Sequence, residues 1–368
     1  MKVLHVISSG GMYGAEAVIL NLSRTLNESG HSSVLGVFSN STNPNVQLHE
    51  MAVREGIESH LIPCRGQVDR TVMASLRELA ARTGADIVHA HGYKADVYAY
   101  LALRKTETPV VSTCHNWLDD GLLVSLYGVV DRLVLRRFTR VVAASDEVRQ
   151  RLLKAGMHRD KIRQIRNGID LRPFAGARSS TSAGALTVGW VGRLSGEKGA
   201  DVFLRAAARV LAEVPGTRFV VVGEGPDRDK LELLVDELRI RDSVSMLGRR
   251  DDVSSMLASM DMMVSSSRQE ALPMAILEGM ASGLPLVATA VGDVPTVVRD
   301  GSTGLLVPPE NVELLAGAIV DLLRDPERRE RLGTAARRLI EDEFSADRMT
   351  ADYLGVYEEA VAVQGKVR

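Results

Sequence analysis

The stretch DMMVSSSRQEALPMAILEGMASGLPLVATA, residues 261–290, has the pattern of a strand, a helix and a second strand. Pro273 suits the first turn of the helix, while Gly283 and Pro285 predict that the helix ends near Ser282. The short apolar runs on both sides are typical of strands buried on both faces, as in a parallel sheet. The stretch therefore predicts a β-α-β unit of a doubly wound α/β domain.

Short Val- and Ile-rich runs alternate with helical patterns along the rest of the chain as well. Such an alternation is typical of parallel sheets that helices cover on both faces. It breaks once, in a segment rich in Gly, Ser, Ala and Arg that has the composition of a linker. We therefore predict two Rossmann-like domains, the first at 1–172 and the second at 186–349, joined by a linker at 173–185. Ligands of such sheets bind at the carboxyl ends of the strands, so we expect the site in a central cleft that the two domains face.

The composition of the 368-residue chain is that of an ordinary globular protein, with 45% hydrophobic and 25% charged residues. A net charge of −2 argues against a dedicated nucleic-acid-binding protein. Two cysteines are too few for a disulfide framework and favour a reduced, cytoplasmic setting. No apolar run reaches 18 residues, and the first apolar run, 2–8, is predicted to be a strand rather than a signal peptide. We therefore expect a cytoplasmic protein that is not integral to a membrane.

The helix predicted at 273–282 offers no hydrophilic face, so we expect it to be buried. Glu278 lies inside this run, and a buried carboxylate without a donor is energetically costly. The two vicinal hydroxyls of a ribose would satisfy it, because each can donate to one carboxylate oxygen. Glu270 precedes the helix, whose N-terminus attracts anions such as phosphate. A phosphate bound there would repel the carboxylate of Glu270 unless this carboxylate faced a neighbouring hydroxylated group. The alternative for both acids is a solvated helix face, which the apolar surroundings disfavour most clearly for Glu278.

A candidate phosphate site follows the predicted strand LTVGWVGRL. Gly192 allows close approach of the backbone, and Arg193 and Lys198 lie on the loop that opens the next helix. Two cations beside a glycine-containing turn at a helix N-terminus suit a phosphate or diphosphate. Taken alone, the pattern is equally compatible with two surface cations in a loop, and it is not a P-loop.

Three histidines lie at the ends of predicted strands, His89 and His91 in DIVHAH and His115 in PVVSTCH. A histidine at the carboxyl end of a parallel strand points toward the expected ligand site. We interpret His89 as structural, leave His91 open between the two roles, and favour a functional role for His115. No group of Cys, His, Asp or Glu has the spacing of a metal site, so no metal is expected.

The glycine-rich segment SSGGMYGAE, residues 8–16, follows the first predicted strand. It does not match the dinucleotide fingerprint, because Met12 stands where the second glycine is needed. The second strand also ends without the acidic residue that binds a ribose hydroxyl in nicotinamide enzymes. A nicotinamide enzyme is therefore disfavoured.

The stretch 131–172 is basic, with 12 Lys and Arg against 5 Asp and Glu. Such a stretch is usually a solvated face over a core. The alternative is a surface that meets an acidic membrane.

Taken together, these motifs resemble the group 1 family of retaining, nucleotide-sugar-dependent glycosyltransferases with the GT-B fold. The resemblance covers essentially the whole chain, and its most specific part is the E-x7-E motif formed by Glu270 and Glu278. The segments that carry it are GGMYGAE (10–16), STCH (112–115), RNGID (166–170), VGRLSGEKG (191–199), GRRDDV (248–253) and the E-x7-E motif itself.

The resemblance implies four catalytic residues. Arg193 and Lys198 would hold the donor diphosphate, Glu270 would bond a hydroxyl of the donor sugar near the reacting carbon, and His115 would reach the sugar from the N-terminal domain. The other donor contacts that it implies are Gly10 and Gly11 beneath the phosphates, the backbone N–H groups of Met274 and Ala275 at the diphosphate, Glu278 at the ribose hydroxyls, and Arg249 and Arg250 beside the base. The last helix, 350–368, resembles the segment that packs back onto the N-terminal domain. One departure is ALP after Glu270, where many relatives have a glycine and an aromatic residue.

The family's chemistry uses cations and N–H donors to stabilise the leaving diphosphate, without a metal or another cofactor, and retains the anomeric configuration. We therefore expect a hexosyltransferase-type enzyme that moves a sugar from a nucleotide sugar, with UDP preferred, to a hydroxyl of a lipid-linked or saccharide acceptor. Such an enzyme would act in glycan or polysaccharide biosynthesis, with peripheral association at the cytoplasmic face of a membrane as an option. The alternatives are a nucleotide-sugar epimerase of the same fold and a non-enzymatic nucleotide-sugar-binding protein.

Overall fold

The structure, a computed structural model, describes residues 1–12, 14–41, 44–66, 69–115, 132–176 and 184–365. The chain divides into two compact units. Unit 1 comprises Met1–Gly168 and Ala346–Arg368, and unit 2 comprises Ile169–Ser345. Each unit has its own hydrophobic core of side chains almost fully removed from water.

The described residues of unit 1 form a sheet of seven parallel strands, and the inner strands of this sheet are buried on both faces. The strands are β1 (Lys2–Ile7), β2 (Ser32–Asn40), β3 (Glu58–Cys64), β4 (Ile87–His91), β5 (Val110–Cys114), β6 (Arg140–Ala143) and β7 (Ile162–Gln164). They lie in the order β3-β2-β1-β4-β5-β6-β7. The helices that precede residue 169 are α1 (Gly14–Glu28), α2 (Gln47–Arg54), α3 (Arg70–Thr83), α4 (Tyr93–Leu103) and α5 (Asp146–Lys154), and residues 132–135 are also helical.

The described part of unit 2 has the same topology, with six parallel strands. The strands are β8 (Thr187–Val191), β9 (Arg218–Val222), β10 (Val244–Met246), β11 (Met262–Ser265), β12 (Leu286–Thr289) and β13 (Leu305–Val307), in the order β10-β9-β8-β11-β12-β13. The helices are α6 (Ala200–Glu213), α7 (Arg228–Glu237), α8 (Val253–Ala258), α9 (Met274–Ala281), α10 (Val294–Val297), α11 (Val312–Arg324) and α12 (Pro326–Glu343). The stretch 261–290 forms β11, α9 and β12, as its pattern predicts.

The last helix, α13 (Ala346–Gly365), belongs to unit 1. It begins four residues before the predicted start at 350. Tyr353 and Tyr357 on this helix are fully buried, and Glu359 pairs with Arg140 and Arg163 at 2.8 Å each. Burial of two aromatic rings holds this helix on unit 1 far more strongly than its own helix propensity would.

The division between the units falls earlier than the sequence predicts, between Gly168 and Ile169 rather than at 172. The reason is local packing, because Leu171 and Phe174 contact the core of unit 2 and Ile169 forms a bridge with Ser345. The predicted linker at 173–185 therefore starts within unit 2. Its residues 177–183 lie outside the described residues.

Both sheets reverse their order at a defined place. In unit 1 the chain runs outward from β1 to β3 and returns to place β4 on the other side of β1. In unit 2 the same reversal places β11 beside β8. The carboxyl ends of the two central strands at such a reversal form the usual ligand site of an open α/β sheet.

The basic stretch 131–172 is described from residue 132 onward. Arg136 and Arg137 are exposed, and Leu133 is 57% exposed beside them. Among the helices in the described ranges, none combines the length and the apolar character that a membrane crossing requires.

Candidate functional site

In unit 2, two loops meet at the carboxyl ends of the central strands β8 and β11. The loop after β8 contains a single 3-10 turn, Gly196–Lys198, and the loop after β11 leads to Glu270. Gly199 permits their contact: it has φ +65°, and a Cβ there would lie 2.1 Å from the carbonyl oxygen of Ser266. Only glycine fits both the conformation and the space. The hydroxyl of Ser266 donates to the carbonyl of Gly199 at 2.7 Å and completes the junction.

Arg268 ties the same two loops together. Its guanidinium donates to both carboxylate oxygens of Asp201 at 2.8 Å and to the carbonyl oxygen of Gly196 at 2.7 Å. These hydrogen bonds hold the pKa of Asp201 below its usual value. Sequence reasoning missed Arg268 and Gly199, although both lie within motifs that it used. Their signal is spatial, since residues about 70 positions apart form the contact.

Lys198 and Glu270 meet at this junction and form an ion pair. The side chains are 24% and 11% exposed, and the hydroxyl of Ser267 also donates to Glu270 at 3.2 Å. A charge pair this sheltered is worth more than one on the surface, because less water screens it. The junction thus contains a sheltered cation paired with a sheltered acid.

The loop that carries Glu270 is supported from behind by the turn before α10. Gly292 has φ +50°, and a Cβ there would lie 1.7 Å from the carbonyl oxygen of Glu270. The N–H of Asp293 donates to the carbonyl of Ala271 at 2.8 Å. The backbone of Glu270 is therefore set by a close contact that no side chain at position 292 could share. Sequence reasoning did not identify Gly292.

Helix α9 begins at Met274, just after this junction, with Pro273 as its N-cap residue. As a proline, Pro273 makes no side-chain hydrogen bond to the first turn. The first N–H groups of a helix have no acceptor within the helix, so those of Met274 and Ala275 can bind an anion, which the helix dipole also favours.

Glu278 lies one turn into α9. Its side chain is half-buried and, among the described residues, makes no hydrogen bond or ion pair. Ile276, Leu277 and Met280, its neighbours on the helix, are fully buried. Removal from water raises the pKa of Glu278 to about 7. An ionised acid in this position is costly unless hydrogen-bond donors reach it.

The other predicted cations of unit 2 are more exposed. Arg193 lies at the surface of the loop after β8. Arg250 donates two hydrogen bonds to Asp252, each at 2.8 Å, and Arg249 lies 4.0 Å from Asp251. The structure therefore brings together Lys198, Glu270 and the N-terminus of α9, and it places the two arginines of the GRRDDV segment in local pairs with the adjacent acids.

In unit 1, the glycine loop follows β1. Gly10 is exposed and Gly11 is buried. The hydroxyl of Ser9 donates to the carbonyl oxygen of Gly11 at 2.9 Å and lies 3.0 Å from the buried carboxylate of Glu16. The N–H of Gly11 in turn donates to Ser9 Oγ at 3.1 Å. These bonds hold the loop in a tight turn against the start of α1.

His115 follows β5 and is part of a larger group of buried histidines. Its Nε2 lies 3.1 Å from Nδ1 of His91, and Nε2 of His91 lies 3.1 Å from Nδ1 of His5. His89 bonds instead to the hydroxyls of Tyr357 at 2.8 Å and Thr113 at 2.7 Å. His91, left open by the sequence, thus lies between two other histidines. His5 was not identified from the sequence, because a single histidine in an apolar strand has no recognisable pattern.

Burial keeps these histidines neutral. It lowers the pKa of His5 to about 3 and that of His115 to about 4, and it holds the pKa values of His89 and His91 well below the usual value. Within the described residues, His5, His89 and His91 are the group whose ligand atoms are close enough for a metal ion, all within 4.8 Å of one another. That no metal is needed stays a prediction.

Comparison with known proteins assigns the family. Residues 12–172 match the model described as Glycosyltransferase Family 4, and residues 178–339 match the one described as Glycosyl transferases group 1. The chain is 30% identical to a D-inositol 3-phosphate glycosyltransferase of Mycobacterium avium over 75% of this chain and 70% of that protein. It is 26% identical to the N-acetyl-alpha-D-glucosaminyl L-malate synthase of Bacillus anthracis over 96% and 95% of the two chains.

Solved structures assign the fold. The Anabaena protein Alr3699/HepE, solved in complex with UDP-glucose, matches with a TM-score of 0.84 at 21% identity over 97% of this chain and 99% of that chain. A glycosyltransferase from Rickettsia africae matches with a TM-score of 0.82 at 20% identity over 98% of each chain. The two parallel sheets, the family models and these neighbours agree: the chain has the GT-B fold and belongs to the group 1 glycosyltransferases.

Proposed function

We propose that this glycosyltransferase transfers a sugar from a UDP-sugar to a hydroxyl of a lipid-linked or saccharide acceptor, with retention of configuration and without a metal. The observation that carries the proposal is the half-buried carboxylate of Glu278, one turn behind an uncapped helix N-terminus and a sheltered lysine. This arrangement is complementary to a nucleoside diphosphate, which carries hydroxyls at one end and negative charge beside them.

The spacing along α9 supports this assignment. Met274 and Glu278 are four residues apart, so they lie on the same helix face about 6 Å apart along the axis. A diphosphate at the N–H groups of Met274 and Ala275 would leave the ribose hydroxyls near Glu278. Two hydroxyls would replace the water that the carboxylate loses on burial, which lowers the cost of its charge.

The ion pair between Lys198 and Glu270 suggests how the sugar end is organised. A diphosphate that binds Lys198, together with Arg193, takes over the charge that now faces Glu270. The released carboxylate of Glu270 can then accept a hydrogen bond from a hydroxyl of the donor sugar. Stabilising the leaving diphosphate in this way supplies the largest share of the barrier reduction in such reactions. The charges needed for it are all side-chain cations and backbone N–H groups, which is why we propose a metal-independent reaction.

The configuration at the anomeric carbon is retained if the acceptor hydroxyl attacks this carbon from the face that the diphosphate leaves. In that geometry the departing phosphate oxygen can take the proton of the attacking hydroxyl. The products are then the glycosylated acceptor and UDP, and no group of the protein has to change its protonation state.

The names of the relatives support UDP and a hydroxylated acceptor. HepE was solved with UDP and with UDP-glucose, and the relatives include proteins named for inositol phosphate, for malate and for glycogen. The compounds in these names differ widely, so they do not select one acceptor. We propose a lipid-linked or saccharide acceptor because of a feature of this chain, the exposed basic side chains of Arg136 and Arg137 beside Leu133. They suit an acidic membrane surface, and sedimentation with anionic and neutral vesicles tests this part directly.

The decisive experiment measures donor binding and product formation together. Thermal unfolding with UDP, GDP and ADP sugars should show stabilisation by one base class, because a ligand of the folded state raises the melting temperature. Release of UDP in EDTA, only when an acceptor is present, would support transfer without a metal. Proton NMR of the product reports its anomeric configuration. Conversion of the nucleotide sugar without an acceptor would instead support the epimerase alternative.

A further inference from the structure

The backbone of Glu310 adopts a conformation that its residue type rarely takes. Glu310 lies between β13 and α11 with φ +65°, in the left-handed region where a residue with a side chain is strained. Its side chain is 61% exposed, so burial of this side chain does not explain the strain. Strained residues persist where the surrounding structure holds them, and they concentrate at functional sites. The contact that Glu310 makes is therefore a candidate for a functional role.

Glu310 is one of two acids that hold the guanidinium of Arg268. Its carboxylate accepts a hydrogen bond from Nε of Arg268. Nη1 and Nη2 donate to the two carboxylate oxygens of Asp201 at 2.8 Å each, and Nη1 also donates to the carbonyl oxygen of Gly196 at 2.7 Å. A guanidinium has five N–H groups, and these contacts use four of them. Arg268 is thus clamped, within unit 2, between α6 and the loop before α11.

The main chain around Arg268 is bonded to the turn that carries Lys198. The N–H of Arg268 donates to the carbonyl oxygen of Glu197 at 2.8 Å. Two residues earlier, the hydroxyl of Ser266 donates to the carbonyl oxygen of Gly199 at 2.7 Å. The carbonyl groups on both sides of Lys198 therefore accept hydrogen bonds from the loop after β11. A shift of one loop must consequently shift the other or break these bonds.

The pair of Lys198 and Glu270 depends on the register of these two loops. Glu270 follows Arg268 by two residues and forms its ion pair with the lysine of the opposite loop. When a reaction depends on positioned charges, a displacement of about 1 Å can lower its rate up to about 100-fold. A residue that fixes the register of the loops can therefore affect catalysis without touching the substrate.

A direct contact between Arg268 and an anionic ligand is the competing explanation. Arginine suits phosphate because its N–H groups can bind two oxygens at once. In Arg268, however, these N–H groups are already directed at Asp201 and Glu310. A phosphate would have to displace the two acids or lie beside their negative charges, which repel it. The observed contacts therefore favour a positioning role.

We propose that Arg268 is a positioning residue for the transfer reaction. Clamped by its two acids, it holds the turn of Lys198 against the loop of Glu270. In this arrangement the strain at Glu310 persists because its carboxylate closes the clamp. The part that the lysine and the glutamate play in the reaction rests on the proposed function, whereas the coupling of the two loops does not.

The test separates the strain at Glu310 from its contact. Glu310→Gly removes the carboxylate and relieves the left-handed backbone, because glycine adopts this conformation readily. Ion pairs with an exposed partner contribute little stability, so the melting temperature should equal or exceed that of the wild type. We expect kcat/KM for the nucleotide sugar that stabilises the wild type to fall about three- to tenfold. The matched control is Arg239→Gly, which relieves another left-handed residue of unit 2, with φ +57°, and should leave kcat/KM unchanged.

Hydrogen exchange of the full-length protein without ligand gives a second readout, which does not depend on the proposed function. In Glu310→Gly, the backbone amides of 196–199 and 266–270 should exchange faster than in the wild type, while those of the sheet should not change. Arg239→Gly should leave the exchange of both loops unchanged.

The outcomes distinguish the explanations. An unchanged kcat/KM in Glu310→Gly, or unchanged exchange of the two loops, would overturn the proposal, and so would a loss of activity that only follows a lower melting temperature. If Arg268 binds an anion directly, Glu310→Gly frees its guanidinium, and a higher affinity for UDP would replace the proposal with that contact. Failure of the wild type to bind any nucleotide sugar, with faster exchange of the loops in the variant, would refute the proposed function but not the coupling.

Discussion

The two units use the same topology but place opposite chemistry at the reversal of their sheets. In unit 2 the central strands end in an ion pair, Lys198 with Glu270, beside a helix N-terminus. In unit 1 they end in neutral histidines that bond to one another and to hydroxyl groups. Charge of this kind suits an anion such as a diphosphate, whereas neutral imidazoles suit hydroxyl groups. The fold sets the position at the strand ends, and the side chains there decide the chemistry of each unit.

The largest expected effect is at the charged site of unit 2. Lys198→Ala removes the sheltered cation and leaves Glu270 without its partner, so kcat/KM for the donor should fall by about 2–4 kcal/mol in transition-state terms. Steady-state kinetics measure it. Lys230→Ala is the control, because Lys230 is 80% exposed in the same unit and should leave the kinetics unchanged. Normal turnover by the Lys198 variant would contradict the diphosphate assignment.

The next largest effect is expected on donor binding, from a substitution at Glu278. Glu278→Gln keeps the size of the side chain but weakens its acceptance of two hydroxyls, so donor binding should weaken by about 2 kcal/mol. The raised pKa of about 7 means that the wild-type carboxyl takes up a proton as the pH falls through 7. Donor affinity of the wild type should therefore drop between pH 8 and pH 6, and that of the variant should not. Titration calorimetry at three pH values measures both, and parallel profiles would contradict the role of Glu278.

The ionised carboxylate of Glu278 should also lower the free energy of unfolding of the protein measured without ligand. An acid whose pKa is raised on folding stabilises the folded state fully below its unfolded pKa of 4.5, and this contribution is lost as the pH rises through about 7. The variant Glu278→Gln should therefore unfold at a higher temperature than the wild type at pH 8, with the difference smaller at pH 5. Thermal unfolding without ligand checks it, with Glu341→Gln on the exposed face of α12 as the control.

For the buried histidines of unit 1, the free energy of unfolding should depend on pH with the opposite sign to that expected for Glu278. The pKa of His5 falls from 6.5 to about 3 on folding, so the unfolded chain binds a proton first. Stability should fall as the pH drops below 6.5, by up to about 1.4 kcal/mol per pH unit for each such histidine. His5→Phe should flatten the profile between pH 6.5 and pH 4. Denaturant unfolding at several pH values measures it, and an unchanged slope would show that His5 is not buried as a neutral ring.

The smallest effect is expected at the exposed pair of Arg250 and Asp252. Arg250→Ala should leave the free energy of unfolding nearly unchanged, because exposed ion pairs contribute little. If the loop at Arg249 and Arg250 lies beside the base, the variant should change the preference among UDP, GDP and ADP sugars more than it changes stability. The thermal-shift panel used for the wild type gives both values.

Much of this protein can be predicted from its sequence because the relevant signals are local. Apolar runs and helix ends predict β11, α9 and β12, and the lack of a hydrophilic face on α9 predicts that Glu278 is withdrawn from water. The structure divides after Gly168, four residues before the predicted end of the first domain, because Leu171 and Phe174 join the core of unit 2 through packing with distant residues. His5 was missed for the same reason, since nothing near it in sequence distinguishes it from a core residue.

The sequence by itself determined two α/β units, the identity of the family and the residue types available for charge and hydrogen bonding. It could do so because strand and helix periodicity and the E-x7-E spacing are properties of neighbouring residues. Only the tertiary structure decided that Lys198 pairs with Glu270, that Gly199 and Gly292 allow close backbone contacts, and that His5 and His115 belong to one chain of hydrogen bonds. These contacts depend on which strands lie side by side, and that order is set by packing of the whole sheet.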